Sequence, residues 1–72
     1  MEKLIVSNLP DDIDEDELTQ MFREYGLKTV ALRPGKYADL TFSSDFAALR
    51  AMEEQKSKVL LRGHWLRMKM AP

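Results

Sequence analysis

Seven residues, Lys36-Tyr37-Ala38-Asp39-Leu40-Thr41-Phe42, carry the most suggestive side-chain spacing in this 72-residue chain. Read as a strand, they turn Ala38, Leu40 and Phe42 to one face and Tyr37, Asp39 and Thr41 to the other, because strand side chains alternate with period two. The second face can stack a flat ligand on a ring, and beside it an acid can accept hydrogen bonds or repel an anion. Other chemistries find less support. His64 is the single histidine, next to Gly63, and is expected to be a turn residue. Without cysteine there is no thiolate zinc site, disulfide or cysteine nucleophile. Asp12-Ile13-Asp14-Glu15-Asp16 begins like a calcium loop, but Glu17 stands where such a loop needs glycine and Arg23 where it needs the bidentate glutamate. With no nucleophile and base in a recognisable pairing, neither an enzyme, a metal nor a cofactor is expected.

The elements that position the ring and the acid are legible from periodicity. Residues 4–10, Leu-Ile-Val-Ser-Asn-Leu-Pro, are apolar and β-branched up to Pro10 and predict a first strand. Leu18, Met21, Phe22 and Tyr25 then recur at helical spacing. Asp14 is the expected cap, Glu17 its capping-box partner and Gly26 the stop. Leu27, Val30 and Leu32 predict a second strand, followed by Pro34-Gly35 and the strand of the opening stretch. For Val30 and Leu32 to share a core with Ala38 and Leu40, the connecting loop must hold an odd number of residues, since opposed residues face the same way. Residues 43–55 predict a second helix, capped by Ser44 and packed through Ala48, Ala51 and Met52. Residues 59–61 and 65–70 are expected to be extended. In the second of these, Leu66, Met68 and Met70 form one set, and Trp65, Arg67 and Lys69 the other.

The order β-α-β-β-α-β predicts an α+β, ferredoxin-like fold: a four-stranded antiparallel sheet with both helices on one face. At this length one small domain is expected over residues 1–72, excised from a longer protein. Its methionines serve as adaptable core fillers. No wholly apolar run exceeds four residues, so no membrane partner is expected. The formal net charge of −1 conceals an asymmetry. Residues 1–26 carry eight acids against Lys3 and Arg23, a balance of −6, whereas the remainder carries nine bases against four acids, a balance of +5. A polyanion partner is therefore not excluded, since what matters is whether the bases gather on one face.

The pattern, with Leu4-Ile5-Val6-Ser7-Asn8-Leu9 and Lys36 to Phe42, resembles the RNA recognition motif (RRM) family over essentially the whole chain. In the shorter signature Leu4, Val6, Asn8 and Leu9 match, with Ile5 in the place of an aromatic residue. In the longer one Tyr37, Ala38, Leu40 and Phe42 match, with Gly35 and Lys36 in the first two positions and Asp39 in the place of a second exposed ring. The resemblance implies that single-stranded RNA is stacked on the sheet by rings of the two central strands. Of three such ring positions this chain keeps Tyr37, so a weak grip is expected.

Alternation through all strands predicts an open sheet surface of Lys3, Ile5, Ser7, Thr29, Ala31, Arg33, Tyr37, Asp39, Thr41, Trp65, Arg67 and Lys69. Tyr37 and Trp65 are the candidate stacking rings, and Arg33, Arg67 and Lys69 the candidate phosphate contacts. Asp39 either filters against phosphate or reads a base edge. The alternative function is a protein-interaction module using the sheet face or the acidic run Asp11, Asp12, Asp14, Glu15, Asp16 and Glu17. Peptide-binding relatives carry Arg-x-Phe before the last strand, which His64-Trp65-Leu66 matches poorly. The resemblance further implies a monomeric RNA-binding module of nuclear or cytoplasmic ribonucleoproteins, engaged in RNA processing.

Overall fold

The computed structural model describes residues 2–72, in which strands and helices alternate as the pattern requires. Strand β1 (Lys3–Ser7) leads to helix α1 (Glu15–Phe22), which tightens into a 3-10 turn over Arg23–Tyr25. Strands β2 (Leu27–Arg33) and β3 (Tyr37–Phe42) form a hairpin, and helix α2 (Asp45–Gln55) follows. A short ribbon of β4 (Leu60–Leu61) and β5 (His64–Trp65) then precedes the last strand, β6 (Arg67–Met70). The main sheet is antiparallel in the order β2-β3-β1-β6, so the first strand and the strand bearing Tyr37 are its two central members. Both helices lie on one face. No helix among the described residues is long and apolar enough to cross a membrane.

Local chemistry sets the helix ends. Asp14 Oδ1 accepts a hydrogen bond from the Glu17 backbone N–H at 2.8 Å, and Ser44 Oγ accepts one from Ala47 N–H at 3.0 Å, satisfying a donor that the first turn leaves open. The reciprocal half of the expected capping box is not made, because the Glu17 carboxylate turns outward to Arg62. Gly26 ends the first helical segment at φ +81°, and a Cβ there would lie 2.8 Å from Ser43 Oγ. The left-handed conformation calls for glycine, and a Cβ would also oblige the Ser43 hydroxyl to rotate away.

Leu4, Val6, Ala38, Leu40 and Phe42 from the central strands meet Leu18, Phe22, Ala48 and Ala51 from the helices, all fully buried. Phe22 and Phe42 pack edge to face with centroids 6.3 Å apart, a favourable ring geometry. Tyr25 is buried too, its hydroxyl accepting from Gln55 Nε2 at 2.7 Å and lying 3.2 Å from Glu54 Oε1. Met21, Met52, Met68 and Met70 are partly buried against this core.

The register of the central hairpin bears out the parity argument. Leu32 opposes Ala38 and Arg33 opposes Tyr37, which leaves residues 34–36 as a three-residue loop. Gly35 and Lys36 adopt positive φ within it, at 95° and 64°. Three expectations are corrected. The first strand stops at Ser7 and not Pro10, because Asn8 turns to φ 62° and its side chain donates to the Trp65 carbonyl at 2.9 Å. Trp65 does not continue the last strand: the chain breaks at Leu66, whose N–H donates to the Val59 carbonyl at 3.1 Å. His64 opposes Leu61 in the ribbon, and the two-residue turn is Arg62-Gly63, at φ 46° and 83°, the left-handed pair that tight hairpins prefer.

Candidate nucleic-acid interface

The outer face of the sheet is organised in rows across the strands. Ala31, Asp39, Ile5 and Lys69 form one row in register. One step toward the β2–β3 loop, Arg33 opposes Tyr37, and Ser7 opposes Arg67. In the other direction Thr29, Thr41 and Lys3 align. Eleven of the twelve residues expected on this face therefore share it. Trp65 is the exception, standing on the ribbon.

Asp39 is held diagonally from both sides. Its Oδ2 lies 3.3 Å from Lys3 Nζ on β1 and 3.1 Å from Arg33 Nε on β2. The side chain keeps only 12% of its exposure, so the carboxylate is largely covered by its two partners. Burial pushes this carboxyl up, but the hydrogen bonds from Arg33 and Lys3 prevail and hold it below the ordinary aspartate range. The negative charge at the centre of the sheet is thus locally compensated, and two of the four bases of the face are engaged in compensating it. Arg67 and Lys69 on β6 are exposed and form no ion pair among the described residues.

Tyr37 stands at the rim of a shallow depression of about 400 Å³ lined by Ile5, Ser7, Gly35, Tyr37 and Lys69. A Cβ on Gly35 would lie 3.7 Å from Tyr37 Cδ1, so the loop passes close beside the ring. Its lining combines an apolar side chain at Ile5, a ring at Tyr37 and a cation at Lys69. A flat, polar-edged group attached to an anion matches that combination, as a nucleotide does.

The acidic run lies away from this face, at the start of α1, and much of it is internally paired. Arg62 Nη1 and Nη2 reach Glu17 at 2.8 and 2.9 Å, and Arg62 Nε reaches Asp12 at 2.9 Å. The hydrogen bonds from Arg62 hold the Glu17 carboxyl below its ordinary range. Asp11 pairs with Lys36 at 3.1 Å, and Asp14 caps the helix. Glu15 and Asp16 remain without an ion pair among the described residues. Sequence reasoning missed the Arg62 clamp, since nothing local marks a contact across 45 and 50 residues. It also passed over Phe46, 75% exposed, and Leu49 on the outer side of α2.

Comparison with known proteins places this geometry. The family model for the RNA recognition motif matches residues 4–63. Among curated protein sequences none matches the chain. Among solved structures, the RNA recognition domains 1 and 2 of Sex-lethal from Drosophila melanogaster align with all of this chain at 28% identity and TM-score 0.89. The C. elegans NONO-1 homodimer aligns with 99% of it at 26% identity and TM-score 0.89. The RRM domain of S. pombe Puf1, at 22% identity and TM-score 0.85, covers 97% and shares the fold. The chain spans 29% of the NONO-1 chain, 50% of the Sex-lethal chain and 96% of the Puf1 one. On the strength of the family match over most of its length, with the two signature strands at the centre of the sheet, the chain belongs to the RNA recognition motif family.

Proposed function

We propose that this domain is a single-stranded RNA-binding module, not an enzyme, that holds RNA weakly on the outer face of its sheet. The observation that carries the reading is the Tyr37 depression, where a ring, the apolar Ile5 side chain and the cation Lys69 converge, with Arg67 close by on β6 as the register partner of the lining residue Ser7. Tyr37 stacks one base while Lys69 and Arg67 meet phosphates; Ser7 and Thr41 line the same face as hydrogen-bonding groups. Arg33 and Lys3 contribute less than their charge suggests, because each is committed to Asp39. One ring gives roughly 1–3 kcal/mol of stacking, which fits a module that works beside others in a longer chain. Such a module belongs to nuclear or cytoplasmic ribonucleoproteins and acts as a monomer when isolated.

The test is the affinity of Tyr37→Ala for a randomised pool of short RNAs, with folding checked by circular dichroism. A loss of roughly 1–3 kcal/mol with the fold intact is expected. Affinity equal to the parent's would remove the sheet face from consideration.

A second reading, protein recognition, draws on one observation. The outer side of α2 presents Phe46 and Leu49 one turn apart, both exposed. The acidic start of α1 supports this reading less well, since Asp12 and Glu17 are occupied by Arg62. Assembly of the kind named for the NONO-1 homodimer is its natural form.

A further inference from the structure

The β4–β5 ribbon carries a second exposed ring. Leu60 and Trp65 are directly opposed in register and are 53% and 55% exposed, so they form one apolar cross-strand pair facing solvent. The backbone under Trp65 is pinned: its carbonyl accepts from Asn8 Nδ2, and the next residue, Leu66, is buried and bonded to the Val59 carbonyl. The ribbon's turn is pinned as well, through Arg62 to Asp12 and Glu17. A tryptophan held on a fixed backbone with its ring in water is an unusual surface for a small domain, in which a ring is normally spent on the core.

Beside this ring lies a depression of about 470 Å³ lined by Asn8, Ser57, Gly63, Trp65, Leu66 and Arg67. Its one charged lining residue is the cation Arg67. Arg67 also opposes Ser7, the residue that lines the Tyr37 depression from the other side. The two hollows are therefore neighbours, Arg67 lining one and its register partner Ser7 the other. Two strand spacings of about 4.8 Å separate Tyr37 from Arg67, and two residues of about 3.3 Å rise carry the chain back to Trp65. That path fits one RNA strand passing from one hollow to the other.

We infer that the Trp65 depression is a second nucleobase subsite, in which an unpaired base stacks on the Trp65 indole while Arg67 holds the phosphate between it and the base on Tyr37. The inference rests on the RNA-binding reading above. Charge favours a nucleotide over a basic or neutral peptide, since the lining holds a cation and no acid, and a base offers the flat face that an exposed indole stacks best. Leu60 extends the platform on its far side and excludes water from the stacked edge.

The chain has a single tryptophan, so its fluorescence reports this subsite alone. A randomised pool of hexanucleotide RNAs is titrated against the parent domain, Trp65→Ala, Trp65→Phe and Tyr37→Ala, with affinities read by anisotropy of labelled RNA. Quenched Trp65 emission is expected in the parent, with affinity about 5- to 100-fold weaker in Trp65→Ala and partly restored in Trp65→Phe. Because Trp65 is half-exposed and packs across the ribbon on Leu60 alone in register, its substitution should lower the melting temperature by no more than a few degrees, which separates a lost contact from a lost fold. If Tyr37→Ala weakens binding while Trp65→Ala binds like the parent, the second subsite is wrong and the sheet reading stands. If neither substitution matters, both are wrong. Emission that ignores RNA altogether overturns the inference and leaves the Leu60–Trp65 pair as a protein-facing surface.

Discussion

Asp39→Asn should strengthen RNA binding and weaken the fold at the same time. In the parent, Oδ2 holds Lys3 Nζ at 3.3 Å and Arg33 Nε at 3.1 Å, so one carboxylate restrains two cations on the proposed RNA face. Ion pairs with partners exposed to this extent contribute roughly 0.2–1 kcal/mol each, so the amide should cost about 1 kcal/mol of stability. For a domain of this size that is a fall in melting temperature of about 4–8 °C. Lys3 and Arg33, once released, can turn to phosphates. Each new contact on a single strand steepens the slope of log affinity against log salt by about 0.7, so a change of roughly 0.7–1.4 is expected. The assay is binding of a randomised hexanucleotide pool at two salt concentrations, with thermal melts of both proteins. The pH dependence follows from the same contact. Because the folded pKa of Asp39 lies below its unfolded value, the stabilisation is complete above the unfolded value, about 3.9, and is lost as pH falls through the folded one. Stabilities of parent and variant should therefore converge in acid below about pH 3.9. An unchanged salt slope with unchanged affinity would refute the reasoning, since Lys3 and Arg33 would then be indifferent to their release. Asp39→Phe adds a ring as well as removing the charge, so it should bind more tightly than Asp39→Asn; weaker binding by a folded Asp39→Phe would instead mark the carboxylate as a reader of base edges.

Two further substitutions test the frame that carries the site. Phe42→Ala empties a fully buried position packed edge to face against Phe22 and should cost about 3–5 kcal/mol, enough to leave the domain largely unfolded in a chemical denaturation series. Gly26→Ala forces φ +81° on a residue with a Cβ and presses it against Ser43 Oγ, so a destabilisation of about 1–2 kcal/mol is expected by the same measurement.

The order of elements, the two capping residues and the odd-length hairpin loop were legible because each rests on a local rule: period, side-chain reach or parity. The same rules put Tyr37 and Asp39 on one face. They failed where the outcome depended on contacts between distant segments. Asp39 looks like a bare charge in sequence because Lys3 lies 36 residues away and becomes its neighbour only when β1 pairs with β3. The acidic run looks free because Arg62 reaches it only through the ribbon turn. Trp65 has the right parity for the sheet, yet the hydrogen bond from Leu66 to Val59 draws the chain into a ribbon before β6 begins. Alternation says which way a side chain points but not which sheet holds it.

The central claim is that RNA lies on the outer sheet face over Tyr37. Amide chemical-shift mapping of the isotopically labelled domain during titration with a randomised hexanucleotide RNA pool tests it most directly. The account predicts that the largest shifts fall on Ile5, Ser7, Tyr37, Arg67 and Lys69, with α1 and α2 unmoved. Shifts confined to Glu15–Phe22 or to the α2 surface around Phe46, or no shift at any RNA concentration, would contradict it.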